Sequence, residues 1–243
     1  MSRRFFDPQP FQAGHAAELG PQASHHIGKV LRMRPGDPLT LFNGEGGEWS
    51  ATLEAVDKKT VTVLPHTFVD IDRAAPRPVT LGLPLIKGDR MDFAIQKAVE
   101  MGAAAIRVLE SERTEVRLKG DRENKKLEHW RQVAISACEQ CGLNRPPAVD
   151  GVLPLNTFMD QAQGLKLIAH PGEGPLDAGA VRDATDIALL TGPEGGFSDD
   201  ELAAARQAGF HGFALGERVL RAETAPASSG PSPGWAISFS PCA

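Results

Sequence analysis

The sequence has little cysteine and no long apolar segment. Its three cysteines, Cys138, Cys141 and Cys242, are sparse and odd in number, which argues against a disulfide framework. The N-terminus carries two arginines but no apolar core after them, so it does not resemble a secretory signal. No run approaches the ~18 apolar residues of a membrane-spanning helix. These absences predict a protein of the reducing cytoplasm.

The sequence also lacks a basic excess. Its formal net charge of −5 argues weakly against a nucleic-acid partner. The distribution is uneven, however. Residues 1–73 carry 8 basic and 9 acidic side chains, residues 74–145 carry 13 and 10, and residues 146–243 carry 5 and 12. An RNA-binding surface could therefore be built from the first two thirds of the chain.

The first 70 residues predict a small β-rich unit. Strand-like stretches at 37–43 and 48–56 flank four residues that include three glycines, which is typical of a hairpin, and residues 60–68 alternate again. Residues 24–33 predict a short helix with Ser24 as N-cap and with Ile27, Val30 and Leu31 on its buried face. The proline-bearing stretch 70–78 predicts a linker.

Beyond the linker, apolar strands alternate with helical patterns. Strands are predicted at 79–86, 105–110, 165–170, 186–191 and 212–216, and helices at 89–101, 122–141 and 199–208. Continuous apolar strands that alternate with helices predict a parallel α/β sheet with helices on both faces. There is no internal repeat at a fixed period.

The stretch "LTGPEGGF" (190–197) places three glycines between a strand and a helix. Ser198 and Glu201 form a capping-box pattern that begins the helix at about Asp199, so the glycines lie at the carboxyl end of a strand, where α/β sheets bind ligands. A phosphate loop requires Lys and Ser/Thr after the glycines, whereas Phe197 and two aspartates follow here. A tight turn that needs only glycine dihedral angles is the alternative.

A second stretch, "ALGERVLRAETAP" (214–226), follows the next strand and should reach the same edge. It brings Arg218, Arg221 and Glu223 together. No metal site is predicted, because Cys138 and Cys141 lie on a predicted helix without a second Cys or His pair at zinc spacing, and the histidines show no ligand spacing.

These two stretches resemble motifs of the bacterial 16S ribosomal RNA uracil-N3 methyltransferase family, of the knotted SPOUT class. The resemblance extends from residue 3 to about residue 226. Further motifs that carry it are "RRFF" (3–6), "HHIGKVLRMRPGD" (25–37), "LIKGDRMDFAIQKAVEMGAAAI" (85–106), "SERTEVR" (111–117) and "ACEQCGLNR" (137–145).

The resemblance implies a PUA-like RNA-binding β-barrel domain at 1–72 and a SPOUT domain at 76–243, an α/β parallel-sheet domain with a C-terminal trefoil knot. It also implies a cytoplasmic homodimer that uses S-adenosylmethionine, without a metal, to methylate N3 of a uridine in 16S rRNA near the decoding region of the small ribosomal subunit. Two alternatives remain: a non-catalytic RNA-binding relative, and a SPOUT methyltransferase acting on another RNA, for instance on a transfer RNA ribose.

The resemblance further implies the site residues. Catalysis is expected from Arg221 as the cation that stabilises the uracil anion, from Arg218, and from Glu223 as orienting residue or base. The methyl donor is expected to contact His170, Pro171, Thr191, Gly192, Pro193, Glu194, Gly195, Gly196, Leu215, Gly216, Leu220 and Arg221. RNA is expected to contact Arg3, Arg4, His26, Lys29, Arg32, Arg34, Lys87, Arg113, Asn144 and Arg145.

The chain departs from the family pattern after Pro226. The family continues into an Ala/Leu-rich helix, whereas this chain reads "ASSGPSPGWAISFSPCA". Three prolines and two glycines in 17 residues exclude a regular helix throughout. Because the family helix packs at the dimer interface and helps to cover the donor, this tail predicts weaker dimerisation and weaker donor binding than in an intact relative.

Overall fold

The computed structural model describes residues 3–228, and these form two compact units. One unit contains the residues up to Ala74 together with the segment Cys138–Pro146, and the other contains Ala75–Ala137 and the residues from Pro147 onward. The sequence carries no signal that Cys138–Pro146 belongs with the first unit. The predicted irregular tail lies, from residue 229, outside the described residues.

The first unit is built on a five-stranded mixed sheet in the order β1-β3-β4-β5-β2. β1 pairs parallel with β3, and the other pairs are antiparallel, including the predicted β3–β4 hairpin. The elements are β1 (Arg3–Phe6), β2 (Ala17–Glu18), α1 (Pro21–His25), a π-helical turn (His26–Val30), β3 (Pro38–Phe42), β4 (Glu48–Val56) and β5 (Val61–Val69).

The predicted helix at 24–33 is corrected by the structure. The helix begins at Pro21, so Ser24 lies inside it, where its hydroxyl donates to the Leu19 carbonyl and accepts the Val61 N–H. Val30 is 59% exposed rather than buried with Ile27. The wider π-helical turn over His26–Val30 breaks the 3.6-residue spacing on which the predicted buried face depended.

The second unit is built on a six-stranded, fully parallel sheet in the order β11-β9-β10-β6-β7-β8, which confirms the predicted parallel α/β architecture. The strands are β6 (Val79–Pro84), β7 (Ala105–Glu110), β8 (Ala148–Pro154), β9 (Leu165–Ala169), β10 (Ile187–Leu190) and β11 (His211–Phe213). The helices are α2 (Arg90–Glu100), α3 (Asp121–Cys141, whose end belongs to the first unit), α4 (Leu155–Gln161), α5 (Ala178–Asp183), α6 (Asp199–Gln207) and α7 (Ala225–Ser228).

The centre of this sheet is closely packed around Gly82. β10 pairs with β9 on one side and with β6 on the other, with Leu190 opposite Ile168 and Gly82. A Cβ on Gly82 would lie 2.7 Å from Leu190 and 2.8 Å from Phe158, so glycine is required there. Because these strands are parallel, their carboxyl ends lie at one edge of the sheet, and the loops that follow them meet there.

Candidate active site

A cavity of about 630 Å³ opens at the carboxyl edge of the parallel sheet. Its walls come mainly from the three loops that follow β9, β10 and β11. The loops are joined by backbone hydrogen bonds: the His170 N–H donates to the Phe213 carbonyl (3.0 Å), and the Ala214 N–H donates to the Gly174 carbonyl (2.9 Å). These bonds join the loops after β9 and β11, and residues of both 190–197 and 214–226 line the cavity, so the two stretches that the sequence singles out form one site.

The lining contains most of the residues expected to bind the donor. Thr191 is the exception: it is fully buried below the cavity wall, and its N–H donates to the Gly82 carbonyl (3.3 Å). The expected residues that line the cavity are His170, Pro171, Gly192, Pro193, Glu194, Gly195, Gly196, Leu215, Gly216, Leu220 and Arg221.

The glycine-rich loop is shaped by close contacts as well as by its dihedral angles. Gly196 has φ +66°, and a Cβ on Gly195 would lie 3.0 Å from the Arg113 Cβ. The capping box of Ser198 and Glu201 is present, and the first turn of α6 carries three acidic side chains. Those carboxylates disfavour a phosphate at this helix N-terminus. The loop also lines the cavity, so it is more than a tight turn.

Two arginines that follow other strands are attached to this loop. The Glu194 carboxylate accepts the Lys87 backbone N–H (3.2 Å) and pairs with Arg90 (Nη2–Oε1 3.0 Å), while Arg113 donates to the Gly195 carbonyl (3.2 Å). Both arginines line the cavity. Sequence reasoning missed Arg90, although the motif "KGDRMD" that contains Lys87 also contains it.

The expected catalytic residues lie together in the loop before α7. The Arg221 carbonyl accepts the N–H groups of Thr224 and Ala225 and so folds this loop into a turn. Arg218, Arg221 and Glu223 all line the cavity. The Glu223 side chain is 10% exposed and that of Arg221 84% exposed, with Oε1 and Nη1 4.0 Å apart. A buried carboxylate thus sits beside a solvated cation.

Three buried polar atoms at this edge have no hydrogen-bond partner among the described residues. They are Glu223 Oε2, His170 Nδ1 and Thr191 Oγ1. Buried polar groups are normally satisfied, so each exception calls for an explanation. Glu223 and His170 line the cavity, and polar groups of a ligand in the cavity would satisfy them.

Four of the expected RNA contacts in the first unit are engaged within it. Asn144 is fully buried: its amide donates to the carbonyls of Gly47 and Ile71 and accepts the Arg73 N–H. Asn144 is therefore a structural residue, which corrects its assignment to RNA. Arg145 is exposed but pairs with Asp72 (2.9 Å).

Arg4 and His26 are held by acidic partners. Arg4 pairs with Glu48 (2.5 Å), and its side chain is 13% exposed, so little of it is accessible to RNA. Burial alone would raise the pKa of Glu48, but hydrogen bonds and charge from Arg73 and Arg4 outweigh it and lower that pKa. His26 pairs with Glu139 (3.4 Å), whose pKa burial raises. Besides Arg145, the exposed members of the set are Arg3, Lys29, Arg32, Arg34, Lys87 and Arg113.

The two helical cysteines are not arranged as a metal or nucleophile site. Both lie on α3, and burial raises the pKa of the Cys138 thiol to about 12. Among residues 3–228, no group of three or more His, Cys, Asp or Glu side chains is placed to hold a metal ion. Within the same residues, no helix is both long and apolar enough to span a membrane.

Family models match both units. Residues 73–229 match an RNA methyltransferase domain, and residues 19–65 match an RNA methyltransferase PUA domain. The chain is 33% identical to a ribosomal RNA small subunit methyltransferase E of Mycobacterium bovis, over 88% of this chain and 84% of the relative. It is 30% identical to the protein of that name from Bacillus subtilis, over 93% of each.

Solved structures agree with these matches. A ribosomal RNA small subunit methyltransferase E from Neisseria gonorrhoeae, bound to S-adenosylmethionine, superposes with a TM-score of 0.87 at 36% identity, covering 94% of this chain and 95% of that one. A methyltransferase from Legionella pneumophila with bound S-adenosylmethionine gives 0.86 at 38% identity, covering 93% and 94%. By sequence and by fold, the chain belongs to the ribosomal RNA small subunit methyltransferase E family.

Proposed function

We propose that this protein transfers a methyl group from S-adenosylmethionine to N3 of a uridine in 16S rRNA of the small ribosomal subunit, near the decoding region. One observation carries the proposal. The cavity at the sheet edge is lined by every expected donor-binding residue except Thr191, and by the three expected catalytic residues. Two similar proteins were solved with S-adenosylmethionine bound.

The cavity residues fit this donor. Leu215, Leu220 and Pro193 offer apolar surface for an adenine ring, while backbone N–H and C=O groups of the glycine-rich loop can read its edge. The unsatisfied His170 Nδ1 and Glu223 Oε2 offer polar contacts. When bound, the donor supplies a methyl group activated by a sulfonium, so the reaction needs no metal.

The target nitrogen requires a base and a cation. Uridine N3 carries a proton and is a poor nucleophile until that proton leaves. Glu223 Oε2 is the proposed acceptor of the proton, because it is buried, lines the cavity and has no partner among the described residues. Arg221, and secondarily Arg218, stabilises the negative charge that develops on the uracil oxygens. The Arg221 side chain is 84% exposed and so is free to turn toward an incoming base.

Exposed cations supply the proposed RNA contacts. In the second unit these are Lys87 and Arg113, and Arg113 also lines the cavity. In the first unit they include Arg3, Lys29 and Arg34. Lys and Arg neutralise backbone phosphates regardless of sequence, so the base-specific step is assigned to the cavity.

We also propose a cytoplasmic homodimer with a trefoil knot, as the family resemblance implies. Light scattering after size exclusion tests the dimer: a mass near twice 26.0 kDa supports it, and a single-chain mass contradicts it.

The direct test uses small ribosomal subunits isolated without this modification. They are incubated with the protein and isotope-labelled S-adenosylmethionine, and the label is mapped by mass spectrometry of nuclease fragments. Label on N3 of one 16S uridine supports the proposal. Label on a ribose, or on added transfer RNA only, would identify a methyltransferase with another target. Donor binding without transfer to any RNA, or RNA binding without donor binding, would indicate a non-catalytic relative.

A further inference from the structure

The side chain of Glu194 joins the glycine-rich loop to the start of α2. Its Oε1 accepts the Lys87 backbone N–H (3.2 Å) and lies 3.0 Å from Nη2 of Arg90. Because α2 begins at Arg90, the carboxylate lies beside the N-terminal end of this helix, where the aligned peptide dipoles favour a negative charge. Glu194 is thus held to a segment over a hundred residues earlier in the chain.

Arg90 occupies a position that is unfavourable for a cation. It is the first residue of α2, and the helix dipole disfavours a positive charge at that end. The Glu194 carboxylate compensates the charge, and this is the one ion pair that Arg90 makes among residues 3–228. The arginine is therefore explained by its partner in the glycine-rich loop and not by the helix that carries it.

The glycine-rich loop needs such a support because it has little structure of its own. In the described part of the chain, one backbone hydrogen bond lies within residues 192–196, from the Gly196 N–H to the Pro193 carbonyl (2.9 Å). Three of these five residues are glycines, which lose more conformational freedom on ordering than other residues do. Glu194 has the sole polar side chain of the loop, so its ion pair is the side-chain attachment that the loop can make.

We propose that Arg90 is a positioning residue for the methyl donor: it holds the Glu194 carboxylate and so fixes the glycine-rich loop in the conformation that lines the donor cavity. The inference rests on the proposed function and adds a specific residue to it. Both residues line the cavity, and Arg113 holds the neighbouring Gly195 carbonyl (3.2 Å). A loop that is ordered before binding lowers the entropic cost of binding. Loss of the ion pair should therefore weaken donor binding more than it slows methyl transfer.

The test is a double-mutant cycle in the full-length protein. Arg90→Met removes the guanidinium, while Glu194→Gln removes the carboxylate charge but keeps an oxygen that can accept the Lys87 N–H. Arg90→Lys keeps a cation, and Arg182→Met, at an exposed position of α5, is the matched control. Calorimetry measures S-adenosylmethionine affinity without RNA, and methyl transfer to small subunits gives kcat and the KM for the donor. Hydrogen exchange of residues 192–196 is followed in donor-free protein, and thermal midpoints are recorded.

For Arg90→Met and for Glu194→Gln we expect donor affinity about three- to tenfold weaker than in the parent. The double variant should bind no more weakly than the weaker single variant, because the two residues act through one contact. Amide exchange in the loop should be faster, the KM for the donor should rise, and kcat at saturating donor should stay near the parent value. Arg90→Lys should recover most of the affinity, and Arg182→Met should match the parent in every measurement.

Several results would overturn the inference. Additive losses in the double variant would mean that Arg90 contacts the donor directly, and a loss confined to RNA affinity would make it an RNA contact. Parent-like donor affinity for Arg90→Met, or a lower thermal midpoint with unchanged loop exchange, would leave it no positioning role. If the parent binds the donor but methylates no rRNA, the proposed function fails, while calorimetry and hydrogen exchange still decide the role of Arg90. If the parent does not bind S-adenosylmethionine, both fail.

Discussion

Glu223 and Arg221 lie 4.0 Å apart but differ sharply in their surroundings, with side chains 10% and 84% exposed. The carboxylate is buried at the cavity wall with one oxygen unsatisfied among the described residues, and the guanidinium reaches solvent. The proposed proton acceptor, Glu223, and the proposed anion stabiliser, Arg221, thus lie two residues apart in one turn, the first buried and the second in solvent.

Replacing Glu223 with Gln should lower the rate of methyl transfer by about 10² to 10⁴-fold, the usual contribution of a general base. The amide has nearly the same size but does not accept the N3 proton. Single-turnover transfer from labelled donor to small subunits measures the effect, and calorimetry should show retained donor binding. Glu217→Gln, an exposed acid of the same loop, is the matched control. Full activity in Glu223→Gln would exclude the proposed base.

Arg221→Ala should lower transfer by about 10² to 10³-fold at saturating RNA and donor, as for the loss of one stabilising donor to a developing anion. Arg221→Lys should recover part of the rate, since it keeps the charge but loses the planar fork. Arg182→Ala, an exposed arginine on α5, serves as control. A wild-type rate for Arg221→Ala would remove Arg221 from the mechanism.

Gly195→Ala tests the close approach of the glycine-rich loop to Arg113. The added Cβ would lie 3.0 Å from the Arg113 Cβ and 3.3 Å from its carbonyl oxygen, so the loop or Arg113 must shift. We expect weaker donor binding by calorimetry with little change in the thermal midpoint. Gly174→Ala, where nothing lies within 4 Å of the new Cβ, should bind donor normally. Parent-like affinity for Gly195→Ala would show that the loop adjusts freely.

Asn144→Ala should destabilise the protein by about 1–3 kcal/mol, because the buried Gly47 carbonyl and the partly buried Ile71 carbonyl and Arg73 N–H lose their partner. Chemical denaturation followed by tryptophan fluorescence measures this loss, since Trp49 lies in the first unit. Asn124→Ala, at an exposed position of α3, is the control. An RNA-binding defect with unchanged stability would restore Asn144 to the RNA-binding set.

The Glu48 cluster predicts a pH dependence of stability. Arg73 and Arg4 outweigh burial and hold the pKa of Glu48 below its ordinary value. The ionised Glu48 therefore stabilises the fold at pH above the ordinary glutamate pKa of about 4.3. This stabilisation is lost as the pH falls through the lowered pKa. The difference in unfolding midpoint between parent and Glu48→Gln should be largest near neutral pH and should close in acid. Glu54→Gln, exposed on the same strand, should show no such trend. A constant difference for Glu48→Gln would contradict the assignment.

Local sequence signals predicted much of the second unit. The buried face of α2 follows from apolar spacing, and Met91, Ala94, Ile95, Ala98 and Val99 are buried as predicted. The capping box sets the start of α6. Pattern reasoning missed β8 and α4, because β8 is largely half-buried and α4 is short, so neither shows a strong period.

The sequence did not predict which polar side chains are exposed and which are paired. Adjacent arginines Arg3 and Arg4 look alike in a motif, but alternation along β1 leaves Arg3 exposed and turns Arg4 toward Glu48. In the sequence Asn144 reads as a polar surface residue, but the fold places the carbonyls of Gly47 and Ile71 against its amide. Arg90 acquires a place at the cavity only through Glu194, over a hundred residues later in the chain.

The sequence by itself determined the family, the parallel α/β architecture and the loops that carry the site, because periodicity, capping and glycine-rich motifs act over a few residues. The tertiary structure alone decided which charged groups are buried, which are paired and which face the cavity. Those properties depend on the distance between atoms far apart in the chain, and the desolvation and pairing that set their chemistry arise only when the strands and loops assemble.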